Sequence, residues 1–348
     1  MVITGMQSGG AERVMATLCN ALSKRHSVRL LAMKQAVSDY ELSEAVEFIG
    51  GNVQNKSLAK SVAFTKKQME AWEPDVVLSF MTKSNIIALL ARMVSACRAP
   101  VVIAERANPY NAHWIFRIIR RVLYPMADGC VFQTEQAKAY YNGILKCESV
   151  ILKNPLNPDF AVSPYEGVRK KKVVTMGRLN PVKNQQLLIR AFAEIAPQHP
   201  EYTLELYGDG PLRQELEELI QSLGMEQRIF LMGRKHSVRD YVQDAEIFVL
   251  PSNAEGMPNA LLEAMAMGLC CVATDCPIGG PAAIVRNGEN GLLLPMNDCP
   301  AMAQALDKLM RNPELAERMG REARNISADF EFETVCTQWE AYLKKFCG

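Results

Sequence analysis

The chain has 348 residues, 49% hydrophobic and 22% charged, with a formal net charge of +1, and its length points to two domains of a globular, soluble protein. No apolar run is long enough to span a bilayer and no secretory pattern opens the chain. The ten scattered cysteines form no CxxC or Cys/His cluster, which argues against a disulfide framework or a zinc site and for reduced thiols in a cytoplasmic protein.

Residues 1–153 carry 19 Lys and Arg against 12 Asp and Glu, and the remainder 20 against 26, so a basic first half and an acidic second half are expected to meet different partners. Residues 1–4 read as the end of a first strand, short enough that some N-terminal sequence is expected to be missing. In GMQSGGAERV, Gly9 and Gly10 let the backbone approach a ligand, and a helix over 11–24 begins directly after them; taken alone, this is an ordinary strand–helix turn. Strand-like runs at 28–31, 76–79, 101–104, 130–132 and 150–152 alternate with helical stretches at 58–70, 85–94, 111–126 and 135–142. That alternation predicts an α/β domain with a doubly wound parallel sheet, whose ligands sit at the carboxyl ends of the strands. Glu105 and Arg106 follow the run 101–104 and would stand at such an end, on the acceptor or sugar side, unless they belong to a surface turn. HWIFRIIRRVLYPMAD sets Arg117, Arg120 and Arg121 beside Trp114, Phe116, Ile118, Ile119 and Leu123. It reads as a basic amphipathic helix that would rest on anionic lipid or hold a lipid-linked diphosphate; the bland reading is a core helix with solvated arginines. No nucleic-acid recognition motif is present, so no nucleic-acid partner is expected.

Residues 154–172, with three prolines and a closing basic run, read as an interdomain connection between a first domain over 1–153 and a second over 173–330. A strand at 173–176 ends in Gly177 and Arg178. Lys183 follows just before a helix over 184–196, so Arg178 and Lys183 can converge on one diphosphate and offset negative charge on a leaving nucleotide. Strands at 203–207 and 229–232 end in turns carrying Gly208, Gly210 and Arg234. The run 247–250 leads into NAEGMPNALLEAMAMGL, where a loop with Glu255 and Gly256 precedes a helix over 259–267. That helix is apolar on nearly all sides and so is expected to be buried, with Glu263 as its one charge. A buried carboxylate needs donors, which a ribose diol supplies; Glu255 would meet sugar hydroxyls, and the helix N-terminus between them would face a diphosphate. The plain alternative is a core helix with one paired glutamate. Further strands at 270–274 and 291–294, helices at 301–310 and 313–326, and a tail helix over 331–346 complete the chain.

PSNAEGMPNALLEAMAMGL resembles the donor-site signature of the retaining glycosyltransferases of family 4, and GRLNPVKN, YGDGPL and SGGAER extend the resemblance over essentially the whole chain. It implies the GT-B fold: two Rossmann-like domains facing across a cleft, the first for the acceptor and the second for the donor, with the tail at 331–348 crossing back to the first. It implies that Gly9 and Gly10 face the diphosphate, that Gly177 and Gly208 lie by the nucleotide, and that the turn at Arg234 meets the base. Asn259, Ala260 and Leu262 would add contacts near the helix start, while Arg178 and Lys183 work without a metal. Many members carry a histidine where this chain has Glu105 and Arg106, a substitution resembling the branch that assembles bacterial surface glycans. The expectation is a retaining hexosyl or N-acetylhexosaminyl transferase using a UDP-sugar donor and no other cofactor. Its acceptor would be a glycan or polyprenyl-diphosphate-linked glycan at the inner face of the plasma membrane. Two rivals share the fold: a UDP-sugar epimerase, which would need histidines in the cleft, and a non-catalytic nucleotide-sugar-binding protein.

Overall fold

The computed structural model describes residues 1–7, 9–34, 37–53 and 57–347. The chain divides into two units, Met1–Pro155 with Phe332–Gly348, and Leu156–Glu331. No helix among the described residues is long and apolar enough to cross a membrane.

The first unit holds a seven-stranded parallel sheet in the order β3-β2-β1-β4-β5-β6-β7, formed by β1 (Val2–Ile3), β2 (Val28–Ala32), β3 (Val46–Gly50), β4 (Val77–Phe80), β5 (Val101–Ala104), β6 (Gly129–Phe132) and β7 (Glu148–Ile151). Its central strands β4, β5 and β6 are buried at every position, as a sheet covered by helices on both faces requires. The edge strand β3 escapes sequence reading because only Val46 of VEFIG is buried, so no apolar run marks it. The tail helix Phe332–Lys344 belongs to this unit. Trp339 is buried in its core, 5.5 Å from the Phe80 ring centroid, and its Nε1 donates to the Lys153 carbonyl at 3.0 Å. Glu340 gathers Arg25 at 2.7 Å, His26 at 2.9 Å and Lys344 at 2.8 Å.

The second unit repeats the plan with six parallel strands in the order β10-β9-β8-β11-β12-β13: β8 (Lys170–Met176), β9 (Thr203–Tyr207), β10 (Ile229–Gly233), β11 (Ala245–Leu250), β12 (Cys270–Thr274) and β13 (Leu292–Leu294). Side chains alternate between two cores, one on each face of the sheet. Val173, Leu204, Ile247, Val249 and Val272 face one; Val174, Met176, Phe248, Leu250, Cys271 and Ala273 face the other. The helix Asn259–Ala266 packs in the second core through Leu261, Leu262, Ala264 and Met265.

Three expectations need correction. The basic run 170–172 is not connection but the start of β8: Lys170 and Lys172 pair with Asp244 at 2.7 and 2.9 Å, and Lys171 with Glu246 at 2.9 Å. Neighbouring carboxylates let lysines enter a strand that composition alone assigns to a loop. The stretch 111–126 is not one helix but the helix Trp114–Leu123 between short 3-10 turns, Pro109–Asn111 and Tyr124–Met126, each with proline in its first turn. The site helix runs Asn259–Ala266 rather than to 267, because Met267 is its C-cap, with Pro258 as the N-cap at the other end.

Candidate functional site

The strand order of the second unit reverses between β8 and β11, the place where doubly wound sheets open a crevice at their carboxyl ends. Backbone bonds fix the loops that leave these strands. Asn253 N–H donates to the Val182 carbonyl at 2.7 Å, and Asn253 Nδ2 to the Pro181 carbonyl at 3.2 Å. Asn184, in the left-handed region at φ 48°, donates from Nδ2 to Asn253 Oδ1 at 3.1 Å and Asn297 Oδ1 at 3.0 Å. The loops after β8 and β11 are thereby held together across the switch point.

Lys183 and Glu255 meet on those two loops. Lys183 Nζ donates to Glu255 Oε1 at 2.6 Å, and Ser252 Oγ donates to the same oxygen at 2.6 Å. Ser252 is itself pinned, since the buried Thr274 Oγ1 donates to its carbonyl at 2.5 Å. Glu255 Oε1 is thus saturated, while Oε2 takes no hydrogen bond among the described residues. Arg178 lies exposed at the end of β8, and Gln185 Nε2 holds its carbonyl at 3.0 Å. Burial, and next the charge of Glu255, push the Cys276 thiol up to about 12, so it is no nucleophile at neutral pH.

Glycines set how close the loops come. A Cβ on Gly208 (φ 143°) would lie 1.9 Å from the Gly177 carbonyl oxygen, and one on Gly280 would lie 1.5 Å from that of Gly256. No side chain fits either place. Gly208 N–H donates in turn to the Gly233 carbonyl at 3.0 Å, and Arg234 follows, exposed. Gly177, Gly208 and Arg234 therefore stand on neighbouring loops at one sheet end.

The helix Asn259–Ala266 has no side-chain cap at its N-terminus, and its first intrahelical bond runs from Leu262 N–H to the Pro258 carbonyl at 3.0 Å. The N–H groups of Ala260 and Leu261 come before it, at the positive end of the helix. The opposite end is closed: Arg169 Nη2 donates to the carbonyls of Met267 and Gly268, both at 2.9 Å. Glu263 is buried, 4% exposed. Lys183, Glu255 and this helix tip all belong to the loop cluster at the carboxyl ends of β8 and β11. Sequence reading missed Ser252, Thr274 and Gly280. A serine three residues before Glu255 in SNAE is the signal that would have found the first.

In the first unit, Gly9 stands just before the helix Gly10–Leu22, and the Tyr40 hydroxyl bridges its N–H (2.8 Å) and carbonyl (2.7 Å). Ser8 of the same loop lies outside the described residues. Glu105 and Arg106 are not a surface turn; both are buried. Glu105 accepts from Thr82 Oγ1 at 2.8 Å and from the Tyr124 hydroxyl at 2.5 Å, with the buried Arg120 3.8 Å away. Arg106 lies over the Phe80 ring at 4.4 Å and donates to Asn154 Oδ1. Burial pushes its guanidinium down to about 9, against the pull of Glu12, so it stays charged at neutral pH.

Two family models match the chain: Glycosyl transferases group 1 over residues 163–326 and Glycosyl transferase 4-like domain over residues 9–146. A Campylobacter jejuni relative is 28% identical over 97% of this chain and 96% of its own length; it is named GalNAc-alpha-(1->4)-GalNAc-alpha-(1->3)-diNAcBac-PP-undecaprenol alpha-1,4-N-acetyl-D-galactosaminyltransferase. Among solved structures, sucrose-phosphate synthase from Thermosynechococcus elongatus superposes with a TM-score of 0.84 at 19% identity, covering 99% of this chain and 95% of its own. Anabaena HepE in complex with UDP and glucose superposes at 0.81 and 18% identity, covering 99% and 98%. These two likenesses speak to the fold.

Proposed function

The chain belongs to the glycosyl transferases of group 1, with the GT-B fold of two Rossmann-like domains, and from that premise we propose that it moves a hexose or N-acetylhexosamine from a UDP-sugar, with retention and without a metal, to a glycan or polyprenyl-diphosphate-linked acceptor in bacterial surface-glycan synthesis. The observation that carries this reading is the Lys183–Glu255–Ser252 cluster on the loops beside the uncapped tip of the Asn259–Ala266 helix. A cation, a carboxylate with one open oxygen and free helix N–H groups are what a sugar diphosphate needs. The Campylobacter relative, whose name carries a diphospho-undecaprenol acceptor, supports the acceptor class, and HepE, solved with UDP and glucose, supports the donor.

In this mechanism Lys183 and Arg178 hold the diphosphate and offset the charge that grows on it as the anomeric C–O bond breaks. Glu255 Oε2 accepts from hydroxyls of the sugar, Glu263 from the ribose diol, and the N–H groups of Ala260 and Leu261 meet phosphate oxygens; Asn259 and Leu262 flank them at the helix start, Leu262 N–H being taken by the Pro258 carbonyl. Gly177, Gly208 and Gly256 leave room for the nucleotide, with Arg234 beside the base. In the first unit, Gly9, Gly10, Glu105 and Arg106 belong to the acceptor side. The acceptor oxygen bonds to the anomeric carbon on the face that UDP leaves, and its proton passes to a phosphate oxygen of the departing UDP, so no side chain serves as base. Three of the four histidines are engaged elsewhere, which weighs against an epimerase: His26 is paired with Glu340, His199 with Asp307 at 2.8 Å, and His113 caps a helix, leaving His236, exposed on the loop after β10, as the one histidine at this sheet end.

A panel of UDP-sugars tests the reading. Transfer, or slow donor hydrolysis without acceptor, is expected. Lys183→Ala and Glu255→Ala should each cut kcat by roughly a hundredfold or more with unchanged circular dichroism. A freed isomerised sugar, absence of turnover with every donor, or near-normal rates in both variants would overturn it.

A further inference from the structure

The helix Trp114–Leu123 wears its polarity inside out. Arg120, only 2% exposed, points inward, where it donates to Thr82 Oγ1 at 2.9 Å and lies 3.8 Å from Glu105. Burying that arginine fixes the rotation of the helix. Residues four apart share a face, so Trp114, Ile118 and Val122 form one outward stripe, exposed by 62%, 53% and 64%. Ile115 and Tyr110 widen it and are also exposed.

Arg117 and Arg121 edge the stripe. Arg117 donates to the carbonyls of Ala112 (3.0 Å) and Tyr110, and neither arginine has a carboxylate partner among the described residues. No acidic residue lies between Glu105 and Asp128. A groove of about 760 Å³ continues the same chemistry alongside, lined by Arg121, Val122, Met126, Ile144 and Lys146. An exposed apolar stripe carrying tryptophan, edged by unpaired cations and free of acids, fits an anionic surface with an apolar interior. A protein partner would need carboxylates set to match; a bilayer of anionic phospholipid presents phosphates everywhere.

We infer that the outer face of the Trp114–Leu123 helix docks on an anionic phospholipid bilayer, Trp114, Ile118 and Val122 entering the boundary between headgroups and acyl chains while Arg117 and Arg121 meet lipid phosphates. This contact is tested apart from the proposed reaction, because vesicle binding needs no donor and no acceptor.

The full chain is sedimented with vesicles of phosphatidylcholine plus phosphatidylglycerol, and with phosphatidylcholine alone, in the absence of nucleotide. Binding to the anionic vesicles is expected, weakening with salt, with a blue shift of Trp114 fluorescence that brominated acyl chains quench and Trp114→Phe removes. Arg117→Gln with Arg121→Gln should weaken binding about twenty-five-fold, at roughly fivefold for each arginine near an anionic surface. Ile118→Ser with Val122→Ser should weaken it by about tenfold or more. These side chains are exposed, so near-ultraviolet circular dichroism should not change. The inference is overturned if the chain stays with the supernatant, if the variants bind as the parent does, or if the stripe is covered by a second copy, seen as a lipid-independent dimer that Ile118→Ser dissociates.

Discussion

Glu255 is held from one side. Its Oε1 takes both Lys183 and Ser252 at 2.6 Å, and the asymmetry leaves Oε2 open, which the proposed reading gives to a substrate hydroxyl. On the proposed reading Ser252 is a positioning residue that keeps the carboxylate in place when Lys183 turns to a phosphate. A hydrogen bond to a charged group predicts that Ser252→Ala lowers kcat/KM about tenfold, chiefly through KM for the donor, and that Ser252→Thr restores most of it. Steady-state kinetics on both variants checks this; a loss of melting temperature in Ser252→Ala with unchanged kinetics would mean a structural role alone. Residues of this kind are hard to read in a sequence. Glu255 and Lys183 announce themselves as charges beside glycines. Ser252 is one serine among many until the fold brings its hydroxyl to the carboxylate. Glu105 shows the opposite limit: its place after a strand was legible, but its commitment to Thr82, 23 residues before it, and Tyr124, 19 after it, depends on how the elements on either side pack.

At the scale of elements, charge decides more than apolar pattern does. The site helix is closed by Arg169 at one end and open at the other, so its dipole faces the loops that carry Lys183 and Glu255. The Trp114–Leu123 helix was legible as amphipathic; which face turns outward was not, because that depends on the burial of Arg120. The tail helix is anchored by Glu340, whose carboxyl is held down at about 2, chiefly by Lys344 and His26 and also by Arg25. A carboxyl depressed in the fold stabilises it above the ordinary glutamate range and loses that contribution as pH falls toward the folded value. Glu340→Gln should thus melt below the parent from neutral pH to about pH 5, with the gap closing toward about pH 2. Melting curves across pH check this; equal melting temperatures at neutral pH, or a gap unchanged at low pH, would contradict it.

At the scale of the molecule, the chain builds one plan twice: parallel strands in the order 3-2-1-4-5-6, extended by a seventh in the first unit. The alternation of strand and helix was enough to predict it, because buried parallel strands read as short apolar runs. The exceptions mark where side chains pair rather than bury, as at the lysines of β8 and the half-exposed β3. The tail contributes Trp339 to the core of the first unit, so the first unit is completed by residues that follow the second. The central claim concerns the second unit alone, and a crystal structure with an intact UDP-sugar analogue tests it most directly. The account predicts the diphosphate against Lys183, Arg178 and the N-terminal tip of the Asn259–Ala266 helix, with Glu255 on the sugar and Glu263 on the ribose. A ligand bound elsewhere, with the Lys183–Glu255 pair undisturbed, would contradict it.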